Sequence, residues 1–91
     1  MLFLSILTWE PDKTEEMRKK FEERGTVTAS KGGKIIGDWT AIGGGRSFRV
    51  VDVDDPSAMA AVARIWNDVA KFEIIPIIET KELMKALASR K

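Results

Sequence analysis

The sequence predicts an α+β fold, in which helices pack on one face of a four-stranded antiparallel sheet. Three observations predict this fold. Short runs of β-branched and aromatic residues alternate with longer segments of helical periodicity. A run of glycines at 43–45 separates two of the β-runs, as in the loop of a hairpin. The chain has 91 residues, which is the size of one domain.

The first strand spans residues 2–9. Its apolar side chains occupy both alternating sets of positions, which is typical of a strand covered on both faces, so we place it mid-sheet. A helix from about residue 12 to Arg24 follows, because Asp12 and Glu15 have the spacing of a capping box. The glycine-rich stretch 25–33 is predicted to be a connecting loop.

A β-hairpin occupies residues 34–54. Its strands, 35–42 and 46–53, are rich in β-branched and aromatic residues. The glycines between them can adopt the positive φ values that a tight reversal of the chain needs. The hairpin therefore supplies half of the predicted sheet, and we expect the remaining elements to pack around it.

The second helix begins at the acidic cap and proline of residues 54–56 and runs to about Val69. Residues 72–79 form the last strand. Pro76 lies within this strand and has no backbone N–H to donate, so we expect an edge position or a bulge there.

A final amphipathic helix is predicted from about residue 80 onward. It has a narrow apolar seam that has to cover either the sheet or a second subunit. The seam consists of Leu83, Met84 and Leu87. The complete order is β-α-β-β-α-β-α, and its βαββαβ part specifies a ferredoxin-like sandwich in a single domain of residues 1–91.

The composition excludes several classes of function. Lys and Arg number 15 against 14 Asp and Glu, a net charge of +1, so no broad electrostatic attraction to nucleic acid or to an anionic membrane is expected. The sequence has no Cys and no His, and we therefore expect no disulfide, no metal site and no histidine-ligated haem or other cofactor. The apolar start lacks a basic leader and is too short to span a membrane, which predicts a cytoplasmic protein.

Both faces of the predicted hairpin are apolar. An antiparallel sheet with one face in water alternates between apolar and polar residues, and this hairpin does not. One set of positions holds Ile35, Trp39, Ala41, Val51 and Val53, and the other holds Ile36, Ile42, Phe48 and Val50. A chain of this size cannot cover both faces with its own helices, so we predict a homodimer packed through its sheets.

Five short motifs together resemble a known family. They are Gly37-Asp38-Trp39-Thr40, Gly43-Gly44-Gly45, Asp54-Asp55-Pro56, Trp66-Asn67-Asp68 and the apolar run Phe72 to Ile78. As a set they resemble a small uncharacterised family of the dimeric α+β barrel superfamily, the domain of unknown function 3303 type. The resemblance implies a ferredoxin-like protomer, a barrel closed by a twofold mate, and a cleft between sheet and helices.

The resemblance does not select a chemistry. The superfamily includes cofactor-free monooxygenases, lactone isomerases, haem-handling proteins and ligand-sensing modules. In the family, the residue after the hairpin tryptophan is often histidine. Thr40 stands there in this chain, so a function that needed that histidine would be lost.

The pairing across the hairpin decides which side chains meet. If Ile42 pairs with Arg46, then Trp39 lies opposite Arg49, and the two form either a cation–π wall of a ligand site or a stabilising cross-strand pair. A shift of one residue would instead pair Asp38 with Arg49. The sequence leaves both registers open.

Asp38 is the candidate catalytic base. It shares its strand face with Ile36, Thr40 and Ile42, and in such apolar surroundings a carboxylate is poorly solvated and suited to accept a proton. The alternative is a charge that protects a sheet edge from aggregation. The candidate ligand-binding residues are Trp39, Phe48, Arg49, Trp66 and Asn67.

Three functions are compatible with this pattern. The first is a homodimer that binds a small aromatic or anionic organic molecule. The second is a cofactor-independent monooxygenase or isomerase, with Asp38 as base, Arg49 stabilising an enolate-like anion and an indole orienting the substrate. The third is an association module that binds no ligand.

Overall fold

The computed structural model of the protein describes residues 1–24 and 33–89, with the Arg24 side chain left out. The strands are β1 (Leu2–Thr8), β2 (Lys34–Thr40), β3 (Arg46–Asp52) and β4 (Lys71–Ile77), and the helices are α1 (Thr14–Arg24), α2 (Ser57–Trp66) and α3 (Thr80–Ala88). A short 3₁₀ turn leads into α1. The predicted order is confirmed. Of the predicted loop 25–33, only Gly33 lies within the described residues.

The four strands form one antiparallel sheet in the order β2-β3-β1-β4. The central position predicted for β1 is confirmed, since β1 pairs with β3 on one side and with β4 on the other. β4 is an edge strand, which is where Pro76 can be accommodated without a missing ladder bond inside the sheet. The arrangement is the ferredoxin-like α+β fold.

The core lies between α1, α2 and one face of the sheet. β1 and β3 direct Phe3, Leu7, Val51 and Val53 toward the helices. α1 contributes Met17, which is only 1% exposed. α2 presents its buried stripe, Met59, Val62 and Trp66, at helical spacing. These contacts bury one face of the sheet.

The opposite face of the sheet, called the outer face here, is covered by no helix of the described chain. The strand pairing places an apolar row on it from every strand. That row contains Leu2, Leu4, Ile6, Trp39, Phe48, Val50, Ile75 and Ile77. Ile6 is buried among its neighbours, but Trp39 and Ile75 are 58% and 40% exposed. The outer face is therefore a large apolar surface in contact with solvent.

The hairpin takes the second of the two registers. Asp38 lies opposite Arg49 and Trp39 lies opposite Phe48, so the expected pairing of Trp39 with Arg49 is wrong. The cause is the loop, where the Ala41 N–H donates to the carbonyl of Arg46 at 2.9 Å. The reversal therefore includes residue 42 besides the glycines, and a shift of one residue moves the β2 side chains from Asp38 to Thr40 to the other face.

The loop closes as a turn in which the Gly44 N–H donates to the carbonyl of Ala41 at 2.8 Å. Gly44 and Gly45 adopt φ values of 80° and 82°, which favour glycine. Ile42 sits at the tip of this turn and is fully exposed. A bulge between Ile35 and Gly37 then brings Ile35 back to the helix-facing side with Asp38.

Helix α3 begins at Thr80, as predicted, and none of its residues belongs to the hydrophobic core of the described chain. Its seam residues Leu83, Met84 and Leu87 are 43%, 59% and 54% exposed. No helix within residues 1–24 and 33–89 is long and apolar enough to cross a membrane.

Helix α2 ends at Trp66, and a turn carries the chain on to the buried Val69, so the predicted end at Val69 is late by one turn. At its start, the Asp55 carboxylate accepts a hydrogen bond of 3.0 Å from the Ser57 N–H. That N–H would otherwise be one of the unpaired donors of a helix N-terminus. Asp55 therefore acts as the acidic cap.

We expect Gly37→Ala to lower the free energy of unfolding by about 1 kcal/mol, because an added Cβ would overlap the Trp39 indole that lies over this glycine. The cost is modest since the indole is exposed and can rotate away. Urea denaturation measures it, and Gly43→Ala is the control, because a Cβ there meets nothing within 4 Å. In a Trp39→Ala background the penalty should vanish; an equal penalty there would contradict the contact.

Asp55→Ala should lower the melting temperature at neutral pH. The hydrogen bonds from Ser57 hold the pKa of Asp55 below its usual value, so its contribution to stability is present above the unfolded-state pKa and is lost as the pH falls through the folded-state pKa. Thermal melts of both proteins should converge in acid below that folded-state pKa. A constant difference at all pH values would assign the effect to helix propensity.

Candidate functional site

A small cavity lies between the sheet and α2, and it is called the cleft cavity here. Its volume is about 20 Å³, enough for one water molecule. Apolar side chains form most of its wall, and three polar residues from β1 and β3 form its floor. The lining consists of Ser5, Leu7, Ser47, Arg49, Val51, Met59, Val62, Trp66 and Phe72.

The polar floor of the cleft cavity follows from strand periodicity. Ser5 faces Arg49 across β1 and β3, and Leu7 faces Ser47, so Ser5, Ser47 and Arg49 all point toward the helices. Ser5 and Ser47 are 7% and 6% exposed. The Ser5 hydroxyl donates to the Arg49 carbonyl at 3.4 Å, which is a long hydrogen bond. Polar groups thus occupy positions that the fold would otherwise fill with apolar side chains.

Arg49 and Asp38 form an ion pair beside this floor. The Arg49 Nη2 donates to Asp38 Oδ2 at 2.8 Å. The Arg49 side chain is 12% exposed, whereas that of Asp38 is 37% exposed. Thr40 follows on β2, opposite Ser47, and is exposed. The cation is therefore largely shielded beside the cleft cavity, and the anion is partly exposed on the edge strand β2, a position called the mouth here.

Trp66 forms part of the wall opposite the floor. It is 1% exposed, and its ring lies 4.9 Å from that of Phe21, centroid to centroid. The Lys20 ammonium lies 5.9 Å from the Trp66 ring centroid and also pairs with Asp68. Trp66 thus serves the core and the cavity at once.

The structure separates the residues predicted from the sequence. Asp38, Arg49 and Trp66 lie on the helix-facing side of the sheet, and the last two line the cleft cavity. Trp39 and Phe48 lie on the outer face, with the Arg46 guanidinium carbon 5.2 Å from the Phe48 ring centroid. Arg49 and Trp66 thus border one cavity, Asp38 contacts it through its hydrogen bond to Arg49, and the other two residues face a different surface.

Asn67 lies away from the cleft cavity. It is exposed after the end of α2 and lines a surface groove with Trp9, Lys13 and Lys71. In the same groove, the buried Trp9 Nε1 has no hydrogen-bond acceptor within the described part of the chain. Asn67 therefore does not join Trp66 in one site, although the two are neighbours in sequence.

Ser5, the only polar residue in the interior of β1, is a possible ligand donor from the sequence alone, whereas Ser47 was not among the predicted residues and lines the cleft cavity with it. A signal was present, since Ser47 and Arg49 are two residues apart on one strand and so share a face. The face could be identified only with the correct pairing partner for β1. Strand pairing, rather than residue type, selects these residues.

The arrangement suits the binding of an anion. A buried guanidinium with neighbouring hydroxyls can donate several hydrogen bonds to oxygen acceptors. Asp38 is not an isolated carboxylate in apolar surroundings, because Arg49 is bonded to it and a third of its side chain is in solvent. Within residues 1–24 and 33–89, no three acidic side chains cluster closely enough to hold a metal ion.

Comparison with known proteins agrees with this fold. The sequence profile of the family described as "Domain of unknown function (DUF3303)" matches residues 1–91. No curated protein matches the sequence.

Two solved structures are similar in fold. One, from Deinococcus radiodurans, is provisionally described as an antibiotic biosynthesis monooxygenase; its TM-score is 0.54 at 11% identity, over 86% of this chain and 92% of that one. The other is an uncharacterised NIPSNAP domain protein from Burkholderia xenovorans, with a TM-score of 0.53 at 19% identity, over 87% and 94% of the two chains. At these identities the likeness concerns the fold alone.

Proposed function

This chain belongs to the family of domains of unknown function DUF3303, and from that premise we propose that it is a cytoplasmic homodimer that binds a small aromatic or anionic organic molecule in its cleft. The single observation that carries the proposal is the largely shielded Arg49 side chain, 12% exposed, which borders a cavity with a hydroxyl-bearing floor. An apolar pocket with a few converging polar groups is the usual form of a small-molecule site.

The burial of Arg49 supports binding over a purely structural role. Desolvating a cation is costly, and an apolar residue of similar size would stabilise the same core position at least as well. Ser5 and Ser47 add polar groups beside it that the core does not need. A cluster of polar residues on an otherwise apolar face is expected where ligand binding, rather than the stability of the folded protein, determines the residue type.

The outer face supports the homodimer. Every strand contributes apolar residues to it, alongside the charged Arg46, Asp52 and Glu73, and monomeric proteins seldom expose an apolar surface of this extent. A second copy related by a twofold axis presents the same surface, so two outer faces can cover each other. Trp39 and Phe48, which the fold removes from the cleft, then belong to the interface.

A cofactor-independent oxygenase or isomerase is the second candidate. The structure described as an antibiotic biosynthesis monooxygenase, with which this chain shares its fold, favours it. In this function Asp38, at the mouth, would accept a proton from a substrate, and Arg49, 2.8 Å away, would stabilise the resulting anion. Asp38→Asn would then abolish turnover while leaving substrate binding nearly intact.

We expect a panel of small aromatic acids and phenols to raise the melting temperature of the wild type through the cleft. A ligand at a hundred times its Kd stabilises the folded state by about 2.7 kcal/mol. The Arg49→Gln variant should lose the shift, and Arg46→Gln, which alters an exposed outer-face arginine, should keep it. If no compound shifts the wild type, the protein is an association module.

Light scattering at micromolar concentration should give twice the chain mass of 10.2 kDa. Ile75→Lys should weaken the dimer by about 3 kcal/mol, because it buries an unpaired charge in the outer face. Ala60→Lys places the same charge on an exposed position of α2 and should leave the dimer intact. A wild-type monomer under these conditions would overturn the homodimer.

A further inference from the structure

We infer that the cleft ligand is an organic carboxylate, and that Asp38 is an internal counter-ion which this ligand displaces from Arg49. The inference rests on the proposed function and specifies the chemistry of its site. Its basis is the unequal burial of the two partners in the Asp38–Arg49 ion pair.

The two charged groups differ in how well water can solvate them once the ion pair opens. The Arg49 side chain is 12% exposed and points into the helix-facing layer, so without an anion it would remain a poorly solvated charge. The Asp38 side chain is 37% exposed and belongs to an edge strand. If the pair opens, the Asp38 carboxylate can be hydrated at the mouth. Replacement of Asp38 by another anion is therefore much less costly than simple rupture of the pair.

The vacated position defines the head of the ligand. It accepts one negative charge in a planar group with two oxygens, because a carboxylate already occupies it at 2.8 Å from Arg49 Nη2. A guanidinium matches a carboxylate in shape and binds it through two parallel hydrogen bonds. A doubly charged phosphate would bring one negative charge more than Arg49 neutralises. The site therefore favours a carboxylate over a phosphate.

The size of the cleft cavity places the remainder of the ligand. A space of about 20 Å³ admits one carboxylate oxygen beside Ser5 and Ser47, and it does not admit a ring. The body of the molecule therefore lies toward the β2 edge, above the exposed Asp38 and Thr40. This is the side on which Asp38 has to move when the head group arrives.

Calorimetric titration with benzoate tests the exchange. Removal of the internal competitor in Asp38→Asn should tighten benzoate binding about tenfold, which is the scale of coupling between sites that share one group. Arg49→Gln should abolish binding. The control Asp12→Asn removes an exposed carboxylate that does not line the cleft cavity, and it should leave the Kd unchanged. Benzamide, which is neutral, should show no dependence on Asp38.

The outcomes separate this inference from the proposed function. Equal or weaker benzoate binding by Asp38→Asn, in a variant whose melting curve shows it folded, would overturn the counter-ion role, and Asp38→Ala repeats the test without an amide. Phosphate binding tighter than benzoate in Asp38→Asn would overturn the ligand class. If only neutral compounds bind through the cleft, the proposed function stands and this inference fails. If the compound panel and benzoate both fail to bind, both are wrong.

Discussion

The structure depends on the central strand β1, which is apolar on both faces and hydrogen-bonded on both edges. Its pairing with β3 and β4 leaves it no contact with water through the backbone, and its side chains require an apolar layer above and below the sheet. The chain supplies one layer with α1 and α2. It has no second layer within the described residues, and this uncovered face is the observation behind the proposed homodimer.

The helix-facing layer is mostly apolar, except for one group of polar residues. Most positions there hold apolar residues, yet β1 and β3 place Ser5, Ser47 and Arg49 side by side beneath α2. Burying these groups gains little for stability, since a buried polar side chain is at best compensated by its hydrogen bonds. Local conflict with an otherwise consistent apolar pattern is typical of functional positions. The cleft cavity and the ion pair beside it are thus the part of the molecule that the fold alone does not explain.

The similarity to other solved structures concerns the backbone fold, and the chemistry of this protein depends on individual side chains. Ferredoxin-like protomers place a cleft between sheet and helices whatever they bind, so the contents of the cleft determine what each one does. Here the contents are one largely shielded guanidinium, two hydroxyls and a carboxylate at the mouth. This set is suited to holding an anion in a fixed orientation. In a dimer closed through the outer faces, each protomer would retain its own cleft on the side away from the interface.

The sequence by itself determined the order of elements, the central place of β1 and the start of α3, and it narrowed β4 to an edge or a bulged strand, because periodicity, capping residues and proline act over a few neighbouring residues. It also predicted Asp38, Arg49 and Trp66 as site residues, and the structure places the last two along one cavity and Asp38 beside Arg49. The tertiary structure decided which side chains lie opposite one another on neighbouring strands. A loop that includes Ile42 shifted β2 by one residue, which gave Arg49 a carboxylate partner and sent Trp39 to the outer face. The reason is that strand side chains alternate, so a local pattern fixes two faces but only the partner strand decides which face is inside.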